Sequence, residues 1–322
     1  MRRHLNPRYK QLLQLLSDGR FHSGTELSGI METSRTTIAK YVRQIQGLGL
    51  DVYVVKGKGY ALPNTIQLLD QDLIRRETGD IPLHFFDMID STNSYMMSYL
   101  DRFSPGSCVL AETQTMGVGR GSTSWISPLG CQVIMSMYWR ISPAAITGLS
   151  LAMGIATIRA LRKLGVPDVG LKWPNDVCSG PRKLAGILVE SRSTPDDAFH
   201  VVVGTGLNVV PTRTLRTAEI GAVSLDELTG GKVSRNQTVI ALIREYRSML
   251  ANFEQSGIES LQEEWNSLDL HLGCRIRLIN KISGDTIIEG TERGIDHRGC
   301  IVIETESGRR EAFSVGDVSL RF

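Results

Sequence analysis

The 322-residue chain contains no run of about 18 apolar residues, the length a membrane-spanning helix requires, so no membrane partner is expected. Its opening residues, Met1-Arg2-Arg3-His4-Leu5-Asn6-Pro7, are basic but lead into no apolar core, which excludes a secretory signal. Cysteine is sparse. Cys108, Cys131, Cys178, Cys274 and Cys300 are odd in number, scattered and never spaced as CxxC. That argues against a disulfide framework and suggests no zinc site; buried or half-buried thiols in a reducing cytoplasm fit better. Internal repeats and low-complexity segments are absent too. What remains, 41% apolar and 22% charged residues, is ordinary for a soluble globular protein of two or three domains.

The net charge of +2 becomes informative once divided along the chain. Residues 1–63 carry ten Lys/Arg against four Asp/Glu, and the remainder carries 26 against 30. A basic head on a slightly acidic body implies that only the head meets a polyanion. The head reads as a winged helix-turn-helix. Leu12, Leu13, Leu15 and Leu16 have helical spacing over residues 7–16, and Asp18-Gly19 stops that helix. Ser23-Gly24-Thr25-Glu26 caps a short second helix. Thr33 or Ser34 caps a third, in which Ile38, Val42 and Ile45 form one apolar stripe. The opposite face presents Arg35, Thr36, Thr37, Lys40 and Arg43, suited to base edges and phosphates in a major groove. Lys56-Gly57-Lys58-Gly59 then forms the tip of a basic hairpin, a candidate wing. The bland alternative is a protein-binding three-helix domain with a solvated basic face.

Residues 64–82 read as a linker entering a polar helix over 70–78. From Leu83 the pattern is α/β, with strands over 83–86, 107–114, 131–139, 169–173, 186–191 and 201–208, and helices over 93–100, 146–164, 238–255 and 258–268. From Leu272 it changes to short β segments over 275–279, 286–293, 300–304 and 308–313, separated by turns such as Ser283-Gly284-Asp285. The domains predicted are thus 1–63, a linker 64–82, a body 83–271 and a small β domain 272–322, an α+β multidomain chain whose body holds a mixed sheet.

The stretch Gly117-Val118-Gly119-Arg120-Gly121-Ser122-Thr123-Ser124-Trp125 crowds glycines and hydroxyls around one cation. Such a loop can bring backbone N–H groups and a guanidinium fork to an oxyanion, or it can be a plain surface loop. Two motifs follow, Lys172-Trp173-Pro174-Asn175-Asp176 and Arg182-Lys183-Leu184-Ala185-Gly186-Ile187-Leu188-Val189-Glu190. In this order and spacing the three resemble the catalytic core of biotin protein ligases. Residues 31–63 resemble the operator-binding head of the bifunctional members, and the likeness covers nearly the whole chain.

That resemblance implies a biotin/lipoate-ligase-like body, an SH3-like C-terminal barrel and an ATP-dependent ligase. Biotin joins ATP to give biotinyl-5'-AMP and pyrophosphate, and biotin then passes to one lysine of the biotin carboxyl carrier protein of acetyl-CoA carboxylase. It also implies repression at the operator of biotin genes, with the adenylate as co-repressor and a homodimer as the bound form. Ser91, Thr92, Asn93 and Gln114 would meet the ureido ring, although Ser91 and Thr92 also suit plain helix caps. Trp125, Leu188, Gly186, Gly204 and Gly206 would wall the slot, with Trp125 as plain core the alternative. Gly117, Val118 and Gly119 would close over biotin. Arg120 and Lys183 would neutralise the encounter of carboxylate and α-phosphate as the catalytic cations. Lys172 is a further cation or a structural partner of Asp176. Asn175 and Asp176 suit Mg²⁺, or a turn after Pro174. Asn208, in Gly204-Thr205-Gly206-Leu207-Asn208, would line the nucleotide pocket, and residues 211–224 would form a flap over adenine.

The chain departs from the family pattern at Val118, where many relatives carry Arg, and at Ser122, Thr123 and Ser124, where they carry further basic residues. The flap also lacks any aromatic residue. A lipoate ligase and a sensor without ligase activity are the competing readings. The winged head and the Lys-Trp-Pro-Asn-Asp run oppose the first, and intact Arg120, Lys183 and Asp176 oppose the second.

Overall fold

A computed structural model describes residues 4–194, 198–217, 221–280, 283–316 and 318–321. The head consists of α1 (Pro7–Leu16), α2 (Gly24–Ile30), α3 (Arg35–Gly47) and a hairpin of β1 (Tyr53–Val55) and β2 (Gly59–Ala61). Local chemistry sets these ends. Ser23 and Glu26 form a reciprocal capping box on α2, and Ser34 accepts from Thr37 N to cap α3. Glycine is required at 59, where φ is +102° and a Cβ would collide with the His22 carbonyl; His22 and Tyr60 exchange two backbone hydrogen bonds of 2.9 Å there. The wing is thereby pinned to the start of α2.

The interior of the head is not closed on itself. Leu12, Leu16, Leu27, Ile38 and Ile45 are fully buried, and their cluster continues through Leu50, Leu62 and Ile66 into the body. Polar ties reinforce the junction. Lys10 pairs with Asp87, Arg213 N donates to Asp51 Oδ2 (2.7 Å), and Leu129 N donates to Leu48 O (3.1 Å).

After α4 (Gln71–Thr78), the body is a seven-stranded sheet in the order β3-β4-β5-β9-β8-β7-β6. Its strands are β3 (Leu83–Ile89), β4 (Cys108–Gln114), β5 (Gln132–Ile141), β6 (Gly170–Lys172), β7 (Asp176–Ser179), β8 (Arg182–Ser193) and β9 (Phe199–Asn208). Only β3–β4 is parallel, so the sheet is mixed. The helix α5 (Thr92–Ser98) contacts β4, β5 and β9, while α6 (Leu149–Lys163) and α9 (Arg235–Ser256) pack together against β5 and β8. Between β9 and α9 lie two short helices, α7 (Arg213–Arg216) and α8 (Leu225–Thr229), which the sequence pattern did not announce. Two further readings are adjusted. The helix expected from Ile146 begins at Leu149, because Gly148 at φ +76° is its N-cap. The turn offered as one reading after Pro174 is narrowed: it covers residues 173–175, and Asp176 opens β7 directly after it.

A 3₁₀ turn and α10 (Gln262–Leu268) lead to the C-terminal sheet: β10 (Arg275–Asn280), β11 (Thr286–Ile295), β12 (Ile301–Glu304), β13 (Arg310–Phe313) and β14 (Val318–Arg321). All its pairings are antiparallel, in the order β13-β12-β11-β10-β14. Its last strand, β14, lies beyond the segments expected from the sequence. Burial pushes the thiols of Cys131 and Cys178 up to about 12 and raises that of Cys108 as well, so these are inert. Cys274 is exposed, contrary to the expectation of buried or half-buried thiols, because it stands in the turn ahead of β10. Among the described residues no helix is long and apolar enough to cross a membrane.

One buried ion pair joins several of these parts. Arg235, at the start of α9, is 2% exposed and pairs with Glu112 of β4; its guanidinium also donates to Gln132 O (2.7 Å) and Gln67 O (3.1 Å). Glu112 in turn accepts from Leu69 N at 2.7 Å. Arg235→Met is therefore expected to cost about 3–5 kcal/mol in urea unfolding, because it strands the Glu112 charge in the interior. The double variant with Glu112→Gln should recover much of that loss.

Candidate functional site

The site sits on the α5 face of the sheet and is organised by register. Ile134 of β5 faces Gly206 of β9, Gly206 faces Gly186 of β8, Gly186 faces Asp176 of β7, and Asp176 faces Lys172 of β6. One row across five strands thus carries two glycines in its middle and two charges at its end. A second row runs from Ser136 through Gly204 to Leu188. Above these rows lies a cavity of about 410 Å³.

The glycines make room for protein side chains. A Cβ on Gly206 would overlap the Trp125 indole, one on Gly204 would overlap the Asn93 amide, and one on Gly186 would sit 3.0 Å from both Trp125 and Lys183. Trp125 lies across the glycine floor with Nε1 donating to Gln132 Oε1 (3.2 Å) and the Lys183 ammonium 5.3 Å from its ring centroid. Gly206→Val is expected to force the indole off this floor. Tryptophan emission should shift to the red, with a loss of about 1–3 kcal/mol in unfolding stability, and the spectral change should vanish in a Trp125→Phe background.

At one end a buried polar chain runs Gln114–Thr92–Ser136–Asn93–Glu190. Thr92 N and Oγ1 donate to Gln114 Oε1 (2.7 and 3.1 Å), Ser136 Oγ lies 2.7 Å from Thr92 Oγ1 and donates to Asn93 Oδ1 (2.6 Å), and Asn93 Nδ2 donates to Glu190 Oε2 (2.8 Å). Ser91 caps α5 by accepting from Ser94 N at 3.3 Å, so the cap and cavity-lining readings both hold for it. At the other end Lys183 Nζ stands 2.6 Å from Asp176 Oδ1. Lys183 is fixed by its backbone: its carbonyl accepts from Val223 N (3.0 Å) and Asn208 Nδ2 (3.3 Å). Asn208 also accepts from Gln132 Nε2 (2.8 Å) and donates to Val223 O (3.2 Å), so its amide is engaged within the protein. Asn175 donates to Ile187 O at 2.9 Å.

The glycine-rich segment is a small closed hairpin. Trp125 N donates to Gly117 O (2.8 Å), Gly119 N to Thr123 O (2.7 Å), and Val118 bridges Ser124. Gly117 is dictated by close approach, since a Cβ there would strike the Trp125 carbonyl. Gly121, at φ +67°, turns the tip. Arg120 extends from that tip to the C-terminal domain, donating to Gly316 O (2.9 Å) and Val318 O (2.6 Å).

Every residue singled out from the sequence for this site lines the cavity except Gly117, whose carbonyl accepts from Trp125 N within the hairpin. The flap expected over residues 211–224 contributes Leu215 and Ala222; residues 218–220 fall outside the described residues. The sequence reading missed Ser136, Gln132, Glu190 and the β14 residues Ser319 and Arg321. The last two line the cavity from a strand nearly 200 residues downstream of the hairpin, and nothing local signals that. In the head, Arg35, Thr36, Lys40, Arg43, Lys56 and Lys58 are exposed, whereas Thr37 is half-buried with its hydroxyl 2.9 Å from that of Ser34.

Comparison with known proteins matches three stretches of the chain to family models. The biotin/lipoate A/B protein ligase family matches residues 85–208, a helix-turn-helix domain residues 8–61, and the biotin protein ligase C-terminal domain residues 271–321. The bifunctional ligase/repressor BirA of Salmonella typhimurium is 39% identical over 96% of this chain and 96% of its own. That of Escherichia coli is 38% identical over 97% and 96%. Among solved structures, the biotin protein ligase from Aquifex aeolicus in complex with biotin and ATP is 26% identical, with a TM-score of 0.64 over 74% of this chain and 98% of that one.

Proposed function

The chain belongs to the bifunctional ligase/repressor BirA family, and from that premise we propose how its residues divide the work. It is an ATP-dependent biotin–protein ligase that also carries a repressor's helix-turn-helix head. We assign residues 1–63 to operator binding, 64–82 to the linker, 83–271 to catalysis and 272–322 to the C-terminal domain. Its use of ATP, carrier and operator supports a cytoplasmic location.

Biotin's ureido ring takes the polar end of the cavity, among Thr92, Asn93, Gln114 and Ser136, and its apolar part lies along Trp125, Ile134 and Leu188. Its carboxylate then points to Lys183. In the first step a carboxylate oxygen bonds to the α-phosphorus while the bond to the β-phosphate bridge oxygen breaks and pyrophosphate leaves. Charge builds on the non-bridging oxygens, and preorganised cations stabilise it most where water is excluded. Lys183 supplies that charge from within the cavity. Arg120 and Arg321 supply it from the side where the C-terminal domain meets the hairpin, and Lys172 extends the cationic end. Asn208 holds the Lys183 backbone. In the second step the carrier lysine's amine bonds to the acyl carbon, sheds a proton, and AMP leaves with the electrons of the broken C–O bond.

Asp176 is the one carboxylate among the described cavity-lining residues, and its Oδ1 is buried beside Lys183. That fits a Mg²⁺ ion held by Asp176 together with oxygens of the nucleotide and water. Once bound, the ion would share the neutralisation of phosphate charge.

The observation that carries the reading is the Lys183–Asp176 pair beside Trp125, where an apolar slot ends against a cation. Pyrophosphate release should require biotin and fail with lipoate. Release with lipoate would make the chain a lipoate ligase, and no release with either would make it a sensor alone. In the regulatory half, a homodimer carrying adenylate binds a palindromic operator, and linkage requires dimerisation to tighten adenylate binding by the same factor. Unmodified carrier protein consumes the adenylate and so relieves repression.

A further inference from the structure

A second cluster of functional groups lies outside the cavity, at the seam between the body and the C-terminal sheet. Asp269 pairs in parallel with Leu171 of β6, Leu270 N donates to Leu171 O (3.0 Å), and Glu292 of β11 exchanges backbone hydrogen bonds with Gly273 and Cys274 (2.8 and 2.9 Å). These pairings bring ligand atoms of Asp269, His271 and Glu292 within 4.8 Å of one another. The Glu292 side chain is fully buried, at 0% exposure; among the described residues no N–H or hydroxyl group donates to either of its oxygens, and its carboxyl lies within hydrogen-bonding reach of that of Asp269. Asp269 Oδ2 is likewise buried without a donor, while its Oδ1 accepts from His271 N at 2.9 Å, which orients the carboxylate.

Buried carboxylate oxygens in this state normally have a partner, since leaving such groups unpaired in the interior costs several kcal/mol. We propose that Asp269, His271 and Glu292 bind a divalent metal ion, with zinc the best match to one imidazole and two carboxylates, and that the ion clamps the C-terminal domain to the edge of the catalytic sheet. In a tetrahedral set, ligand atoms at about 2.1 Å from a common ion lie about 3.4 Å apart. The ligand atoms here lie within 4.8 Å of one another and would close by at most roughly 1.4 Å to reach that spacing, which side-chain rotation can supply. A water molecule would complete a tetrahedral set.

The charge balance identifies the competitor. The Lys172 ammonium acts on both Glu292 and His271 from the cavity side. Two carboxylates and one ammonium leave one negative charge in excess. A divalent ion turns that into one positive charge, and a single proton shared by Asp269 and Glu292 cancels it. Burial works toward the proton by favouring the neutral form of both carboxyls, and toward the metal by keeping the imidazole in the uncharged form that ligates.

The test uses the full-length chain stripped of metal and titrated calorimetrically with Zn²⁺ alone. One equivalent should bind and raise the melting temperature. Glu292→Gln, which keeps the shape, should weaken binding at least about ten-fold and abolish the thermal shift, since loss of outer partners alone costs that much. His271→Asn serves as a second variant should Glu292→Gln not fold. Co²⁺ in place of Zn²⁺ should give visible bands of nitrogen and oxygen ligation without a thiolate charge-transfer band, which keeps Cys274 out of the set. If the parent takes up no Zn²⁺, or if Glu292→Gln binds it equally well, the proposal is overturned. A parent that ignores Zn²⁺ beside an equally stable Glu292→Gln would assign the site to the shared proton.

Discussion

Lys183→Ala is expected to lower the rate of biotinyl-adenylate formation by about 10²–10³-fold, the typical effect of removing one preorganised group from developing transition-state charge. The ammonium stands 2.6 Å from Asp176 at the cationic end of the cavity, and its position is set by backbone bonds to Val223 and Asn208 that alanine retains. The fold should therefore persist. Biotin affinity should change far less than the rate, because the ureido contacts lie at the opposite end, among Thr92, Asn93 and Gln114. Single-turnover pyrophosphate release, with circular dichroism as the control for folding, separates the two effects. A variant that forms adenylate at near the parent rate would reduce Lys183 to a lining residue.

Removing residues 1–63 should abolish specific operator binding, a loss of at least about 10³ in affinity, because the exposed face of Arg35, Lys40 and Arg43 and the wing lie within that segment. Within the intact chain, Lys40→Ala should weaken binding to any DNA and reduce the slope of log affinity against log salt by about one. The truncated ligase carries a further consequence. Leu48 and Gly49 of the head rest on Pro128 and Leu129, three and four residues beyond Trp125, and Asp51 holds the start of α7. Loss of those supports should raise the KM for biotin several-fold while adenylate formation continues at saturating substrate. Gel retardation and steady-state kinetics on the truncated chain check both halves. Retained operator binding would overturn the assignment of the head, and an unchanged KM would show that head and ligase are merely joined.

The head and most body elements were legible because their information is local. Ser23 with Glu26, Ser34 ahead of Ile38, Val42 and Ile45, and the hydrophobic spacing of α1 each act within one or two helical turns. The motifs around Arg120, Lys172 and Lys183 were legible for a similar reason, since glycine and charge cluster there within a few residues. Two local signals meet at Pro174-Asn175-Asp176 and both hold: residues 173–175 turn, and Asp176 begins the strand that pairs with Gly186.

What the sequence by itself determined was most of the elements, their order, and the identity of the groups available for chemistry. What only the tertiary structure decided was which of those groups meet. Ile134, Gly206, Gly186, Asp176 and Lys172 share one row because the register of five strands aligns them, and register follows from packing both faces of the sheet rather than from any one strand. The use of Gly204 and Gly206 to seat Asn93 and Trp125, the reach of Arg120 to Gly316 and Val318, and the meeting of Asp269, His271 and Glu292 all join residues distant in sequence. A side chain's type and its local periodicity state which face it occupies. Only the closure of the whole core, which pays the entropy of bringing distant segments together, states what it faces.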